Sequence, residues 1–195
     1  FKARFPAVVP RLFVANSEAV QSRVLERTLD LGFIEGDSHM PTLVTDICCE
    51  DELQLTCAPS HPLASRKTVE AAALTQYANI SREPGSGTRE VVDRYLQSAG
   101  VAPESLQRVM ELGSPEALKG VVATGLGFSI MSCATVVNEI RLGQLVQIPL
   151  EPRLTRSMSV VYPKERIHSQ LVRGFIAFTK ETLGAGGGPL QPAKR

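Results

Sequence analysis

Three observations predict an α/β fold for this chain. Apolar runs of strand length alternate with amphipathic runs of helical period almost from end to end. Helix-start signals sit at the joints; the clearest is Ser114-Pro115-Glu116, an N-cap followed by a first-turn proline and an acid. Two extended segments, 53–58 and 145–148, break the rhythm with no regular helix after them, as a chain does when it crosses between lobes. The alternation further predicts mostly parallel strands.

In order, residues 8–15 read as a strand and 18–27 as a helix, capped by Asn16 or Ser17, with Val20, Val24 and Leu25 on one face. Residues 29–34 form a short buried strand ending at Glu35-Gly36, and 36–42 a loop containing Pro41. Segments 43–49 and 53–58 are extended, and 59–65, with two prolines, is a turn region. A short helix over 68–74 precedes a strand over 77–80 and a helix over 88–99 that Gly100 stops. Residues 108–112 form a strand, and the helix begun at Ser114 runs through Leu118, Val121 and Val122 to Gly125. A buried strand (127–131), a helix (133–141), the extended 145–148 and a strand (158–162) follow. A closing helix over 169–183 turns Leu171, Val172, Phe175, Ile176 and Thr179 inward. With 53–58 and 145–148 as crossings, lobe I comprises 1–56 and 149–183 and lobe II 57–148, and the Gly/Pro-rich 184–195 is a flexible tail. Ligands of open α/β sheets gather at the carboxyl ends of strands. That rule selects the loops at Asn16-Ser17, Glu35-Gly36, 81–88, Gly113-Ser114 and Met131-Ser132, all facing one cleft.

Composition narrows the function. The 195 residues carry 21 Lys and Arg against 20 Asp and Glu, so no basic field points to nucleic acid. Tryptophan is absent and aromatics make up 5%, which offers no platform for stacking bases. No apolar run approaches the ~18 residues of a membrane span. The chain starts at Phe1 rather than Met, with no secretory signal pattern, and reads as a piece of a longer cytoplasmic protein. Cys48, Cys49, Cys57 and Cys133 lack zinc-ligand spacing and read as reduced and structural. No metal or cofactor is expected.

The stretch Ser81-Arg82-Glu83-Pro84-Gly85-Ser86-Gly87-Thr88-Arg89 carries the most chemistry. It joins the strand Tyr77-Ala78-Asn79-Ile80 to a helix whose apolar face is Val91, Val92, Tyr95, Leu96 and Ala99. Such a loop presents unpaired N–H groups at the positive end of a helix, and with two hydroxyls and two arginines it suits a small anion. The same residues also serve as an ordinary turn at Gly85 and a cap at Ser86 or Thr88. Arg82 and Arg89 either compensate an anion or lie solvated, and Glu35 either pairs with one of them or lies exposed. His39, His61 and His168 sit in polar or Pro-adjacent surroundings, read as surface loops, and have no nucleophile partner. Gly125-Leu126-Gly127 starts a dinucleotide-like pattern, but Ile130 stands where the third glycine belongs. Neither a nucleophile elbow nor a phosphate-binding Walker loop occurs, so an enzyme is not expected.

Five stretches in order resemble the effector-binding domain of LysR-type transcriptional regulators. They are Phe5-Pro6 with Leu12-Phe13-Val14, Asn16-Ser17-Glu18-Ala19-Val20, Leu29-Asp30-Leu31-Gly32-Phe33-Ile34-Glu35-Gly36, the 81–89 loop, and Glu111-Leu112-Gly113-Ser114 with Val121 to Gly127. The Asp-Leu-Gly-Phe-Ile-Glu-Gly form resembles the branch that governs sulfur assimilation. The resemblance implies a type 2 periplasmic-binding-protein fold, two Rossmann-like lobes joined by two crossover strands, with a small effector between them. It implies a homodimer or homotetramer, no membrane, and a preceding winged helix-turn-helix domain that reads DNA. It places Phe1 near the end of a helix that, with a strand before it, usually contributes effector contacts. Carried over residue by residue, the ligand contacts are Asn16, Ser17, Gly36, Ser81, Arg82, Gly85, Ser86, Thr88, Gly127 and Phe128, though Phe128 also reads as core. Sulfate, sulfite or a small carboxylate fits this chemistry. A solute-binding protein of an anion transporter shares the fold and is the alternative.

Overall fold

The computed structural model describes residues 1–184; the predicted tail beyond them lies outside the described residues. Helix α1 (Ser17–Leu25) leads to strand β1 (Gly32–Glu35) and the long strand β2 (Leu43–Cys57). Then come β3 (Val69–Glu70), a 3₁₀ turn (Ala71–Gln76), β4 (Ala78–Arg82), helix α2 (Gly87–Ser98), β5 (Gln107–Leu112) and α3 (Pro115–Ala123). Strand β6 (Ser129–Ser132), α4 (Val137–Arg141), β7 (Val146–Ile148), β8 (Leu150–Glu151), β9 (Leu154–Pro163) and α5 (Gln170–Gly184) follow among the described residues.

The predicted extended segments 43–49 and 53–58 are one strand, bulged between Ile47 and Cys49. Strand β9 accompanies β2 antiparallel from Leu43↔Pro163 to Leu53↔Leu154, four residues earlier in its start than the sequence pattern indicates. The main sheet has the order β1-β9-β2-β6, and β7 (Val146–Ile148) also pairs with the far end of β2. All its ladders are antiparallel, against the expectation of mostly parallel strands. The reason is that β2 and β9 are outward and returning passes of one chain and so run in opposite directions. Parallel pairing is confined to β4 with β5, β3 with β8, and a bridge from Asn79 to Phe128.

Residues 8–15 form no strand. No described strand runs beside them, so their backbone has no ladder partner. Val9, Leu12 and Val14 are exposed, while Phe13 tucks inward under the Arg23 guanidinium, 3.9 Å from its ring centroid. The predicted helix over 68–74 is a two-residue strand and a 3₁₀ turn. That over 133–141 is split: the Ser132 hydroxyl accepts from Ala134 N and tightens the first turn, and the Thr135-Val136-Val137 run resists a continuous helix.

Helices cover the sheets on both sides of the long pair. Val20 and Val24 of α1 pack on Ile34, Leu43 and Val161, while Val172 and Ile176 of α5 pack on Val160, Tyr162 and Cys48. At the other end, Leu53, Leu55 and Leu154 join Leu74, Leu96 and Phe128 in the largest core. Ile80, Leu118 and Met131 form a smaller cluster under α3. The four cysteines are free thiols, as expected, and burial pushes Cys57 and Cys133 up to about 11. Among the described residues no helix is long and apolar enough to cross a membrane.

Candidate functional site

The first turn of α2 is the centre of the site. Strand β4 ends at Arg82, and a turn closed by Ser86 N–H on the Glu83 carbonyl (3.2 Å) brings the chain into the helix. Gly85 takes φ +81°, a conformation that favours glycine. Ser86 is the N-cap, but its hydroxyl makes no capping bond; it is buried and has no partner among the described residues. Thr88 instead donates both its N–H (3.0 Å) and its hydroxyl (2.6 Å) to one oxygen, Oε2 of Glu35, the last residue of β1.

Arg156 of β9 closes this cluster. Its Nη1 lies 2.9 Å from the same Glu35 oxygen and donates to Thr88 Oγ1 at 2.8 Å. Its Nε (2.9 Å) and Nη2 (2.8 Å) fork onto Oδ2 of Asp51. Ser132 at the end of β6 donates to Asp51 Oδ1 at 2.7 Å. The Arg156 and Asp51 side chains are 4% and 3% exposed, and Glu35 is 28% exposed. A cavity of about 40 Å³ lies among Glu35, Thr88, Leu118, Ser132, Thr135 and Arg156, room for water rather than for a metabolite. A wider depression, about 420 Å³, is lined by Gly36, Glu50, Arg94, Tyr95, Arg156 and Ser157.

The N-terminus of α1 meets the same loop. Asn16 caps its own helix (Ala19 N–H to Oδ1, 2.9 Å) and reaches the Pro84 carbonyl at 3.5 Å. Glu18 N–H donates to the Gly85 carbonyl at 3.1 Å, and Ser17 Oγ accepts from Glu35 N–H at 3.2 Å. Gly87 lets the two parts close: a Cβ there would overlap the Glu35 carbonyl oxygen.

So the structure gathers Asn16, Ser17, Gly36, Gly85, Ser86 and Thr88 around one junction. Ser81 lines a neighbouring cavity of about 20 Å³, and Arg82 lines both that cavity and the one beside Glu35, Thr88 and Arg156. Neither arginine of the loop is a free cation. Arg82 forks onto Glu83 (2.9 and 3.1 Å), and Arg89 is 2.6 Å from Glu111 and 3.8 Å from Asp93. Phe128 is core: its ring is fully buried, and its carbonyl accepts from Ile80 N–H at 2.8 Å. Gly127 serves close strand approach, since a Cβ would strike the Ala78 carbonyl. His61 lies in a loop, as predicted, but is half-buried against Tyr77 rather than fully exposed. Sequence reasoning placed the Met131-Ser132 loop at the cleft but missed Asp51 and Arg156, and matched Glu35 with the wrong arginines. The available signal was the lone arginine inside apolar β9, since a buried charge needs a partner; Asp51 is hidden within the acidic run Glu50-Asp51-Glu52 of β2.

Burial pushes the Glu83 carboxyl up, but the hydrogen bond and charge of Arg82, with help from its own backbone and from Asn16, outweigh it and hold Glu83 below the ordinary range. A depressed folded-state value stabilises the fold above the unfolded carboxylate pKa of about 4.3 and is lost as pH falls through the folded value. Denaturation midpoints should therefore fall on acidification below that pKa, and Glu83→Gln should flatten the fall. An acid limb as steep as that of the unsubstituted chain would exclude Glu83 as a contributor.

A two-lobed fold threaded by a long antiparallel strand pair, with two helix N-termini meeting at its cleft, defines a ligand-binding domain of the type 2 periplasmic-binding-protein class. The LysR substrate binding domain family matches residues 1–184, and the chain belongs to that family. It is 37% identical over 180 residues to the HTH-type transcriptional regulator YeiE of Escherichia coli (strain K12), covering 91% of this chain and 60% of the relative. The chain thus spans about three-fifths of that relative's length. The regulatory domain of Synechocystis PCC6803 CcmR in complex with 2-PG superposes with a TM-score of 0.83 at 26% identity, over 93% of this chain and 86% of that one. The effector binding domain of QuiR in complex with shikimate shares the fold, with a TM-score of 0.77 at 18% identity over 87% and 79%.

Proposed function

We propose that this chain is the effector-sensing part of a LysR-type, DNA-binding transcriptional regulator, and that it takes a small anion at the first turn of α2. The observation that carries this reading is the Ser86 hydroxyl, buried at the helix N-cap without a partner, beside a Thr88 whose two donors already hold a carboxylate. An orphaned buried hydroxyl is costly, and a bound oxyanion would accept from it. The complexes of CcmR with 2-PG and QuiR with shikimate support a small-molecule ligand for domains of this fold.

On this reading lobe I (1–56 and 149–183) supplies Asn16, Ser17 and Gly36, and lobe II (57–148) supplies Ser81, Arg82, Gly85, Ser86 and Thr88. Sulfate, sulfite or a small carboxylate fits the donor set. Binding shifts the population toward one lobe arrangement by the difference in affinity between arrangements. In a cytoplasmic homodimer or homotetramer, that shift resets the spacing of winged helix-turn-helix domains on DNA. The family's effector-binding role favours a sensor over an enzyme.

The test is thermal melting against sulfate, sulfite, thiosulfate and mono- and dicarboxylates at matched ionic strength. An anion that binds only the folded chain raises the melting temperature by mass action. Replacing both Ser86 and Thr88 by Ala should weaken the responding anion about tenfold or more, the scale of one lost charge-assisted hydrogen bond. Unchanged affinity in the double variant would place the site elsewhere.

A further inference from the structure

We propose that Glu35 is a tethered stand-in for the effector: its carboxylate occupies the anion position at α2, and a ligand must displace it. This rests on the reading that the first turn of α2 is the anion site. Three donors converge on the single oxygen Oε2: Thr88 N–H (3.0 Å), Thr88 Oγ–H (2.6 Å) and Arg156 Nη1 (2.9 Å). Backbone N–H and hydroxyl of one first-turn residue, plus a guanidinium, form the donor set by which a helix N-terminus holds an oxyanion. Here the chain satisfies it with its own acid, from an element on the other side of the cleft.

Electrostatics point the same way. Arg156 faces two carboxylates, Asp51 and Glu35, so the cluster carries one net negative charge and repels a free anion. Arg82 and Arg89 are already paired with Glu83, Glu111 and Asp93. Without Glu35 the cluster is neutral and both Thr88 donors are open. Glu35 also links the two lobes, so its displacement couples ligand binding to the contact between β1 and α2. An anion too weak to compete with it leaves the contact closed, which makes Glu35 a threshold on effector strength. Ser86 Oγ, which Glu35 does not satisfy, has no partner among the described residues.

The experiment compares melting temperatures of this chain, Glu35→Ala and Glu35→Gln in sulfate, sulfite and acetate, with chloride at matched ionic strength. Glu26→Gln, an exposed change at the end of α1 opposite Asn16 and Ser17, controls for net charge. A side chain tethered this closely competes at an effective concentration of about millimolar or more. Glu35→Ala should therefore respond to sulfate or sulfite at concentrations lower by about tenfold or more than the unsubstituted chain. It should also gain a response to acetate, which replaces the lost carboxylate, and Glu35→Gln should fall between. Two results separate the claims. If Ser86→Ala/Thr88→Ala abolishes an anion response that Glu35→Ala and Glu35→Gln leave unchanged, the anion site stands and the stand-in role is overturned. If the Ser86/Thr88 double variant responds like the unsubstituted chain, or no anion shifts any variant, the anion-site reading fails and takes this proposal with it.

Discussion

Arg156→Ala should cost about 3–5 kcal/mol of folding free energy, the range for removing one partner of a buried ion pair. Asp51 is 3% exposed and depends on Arg156 for the two nitrogens at 2.8 and 2.9 Å; Ser132 alone would remain on its other oxygen. The variant would also loosen Glu35 and the Thr88 hydroxyl, both of which Arg156 touches. Urea denaturation reads the loss directly. Arg156→Lys should recover only part of it, because an ammonium has no fork to span Asp51. Arg156→Leu with Asp51→Leu should recover more than the single change, since the pair is removed together. A loss below about 1 kcal/mol for Arg156→Ala would mean that Asp51 is not dependent on its partner.

Phe128→Ala should be comparably severe, about 3–5 kcal/mol, and for a different reason. The ring is fully buried in the core that also holds Leu53, Leu55, Leu74 and Leu96, and truncation leaves a cavity that the surrounding strands cannot fill. Its effect on the ligand should be nil. Measured well below its own melting temperature, the variant should bind the responding anion with unaltered affinity, because only the Phe128 main chain pairs toward β4. Weakened binding with intact stability would return Phe128 to the ligand shell.

These two residues show what the sequence made legible. Helix α2 and its loop were readable because glycine, hydroxyl and helical-period signals coincide between Ser81 and Ala99. Helix α3 was readable from Ser114-Pro115-Glu116, and its N-cap bond to Ala117 forms at 3.3 Å. The antiparallel sheet was not, because strand direction depends on which pass of the chain lies next to which, and apolar alternation carries no direction. Nor were the bulged union of two extended segments into β2, or the Arg156–Asp51 pair. Those two residues stand 105 positions apart, and each alone looks like an ordinary polar member of a strand.

The long strand β2 has a consequence for how this domain comes apart. One continuous strand places Leu43 in the core under α1 and Leu53, Leu55 and Cys57 in the core against α2. Its partner β9 does the same, with Val161 in the first and Leu154 in the second. Neither half can melt without stripping ladder bonds and apolar contacts from the other. The two halves should therefore unfold as one cooperative unit, so that a lesion in either core is felt as a loss of the whole domain.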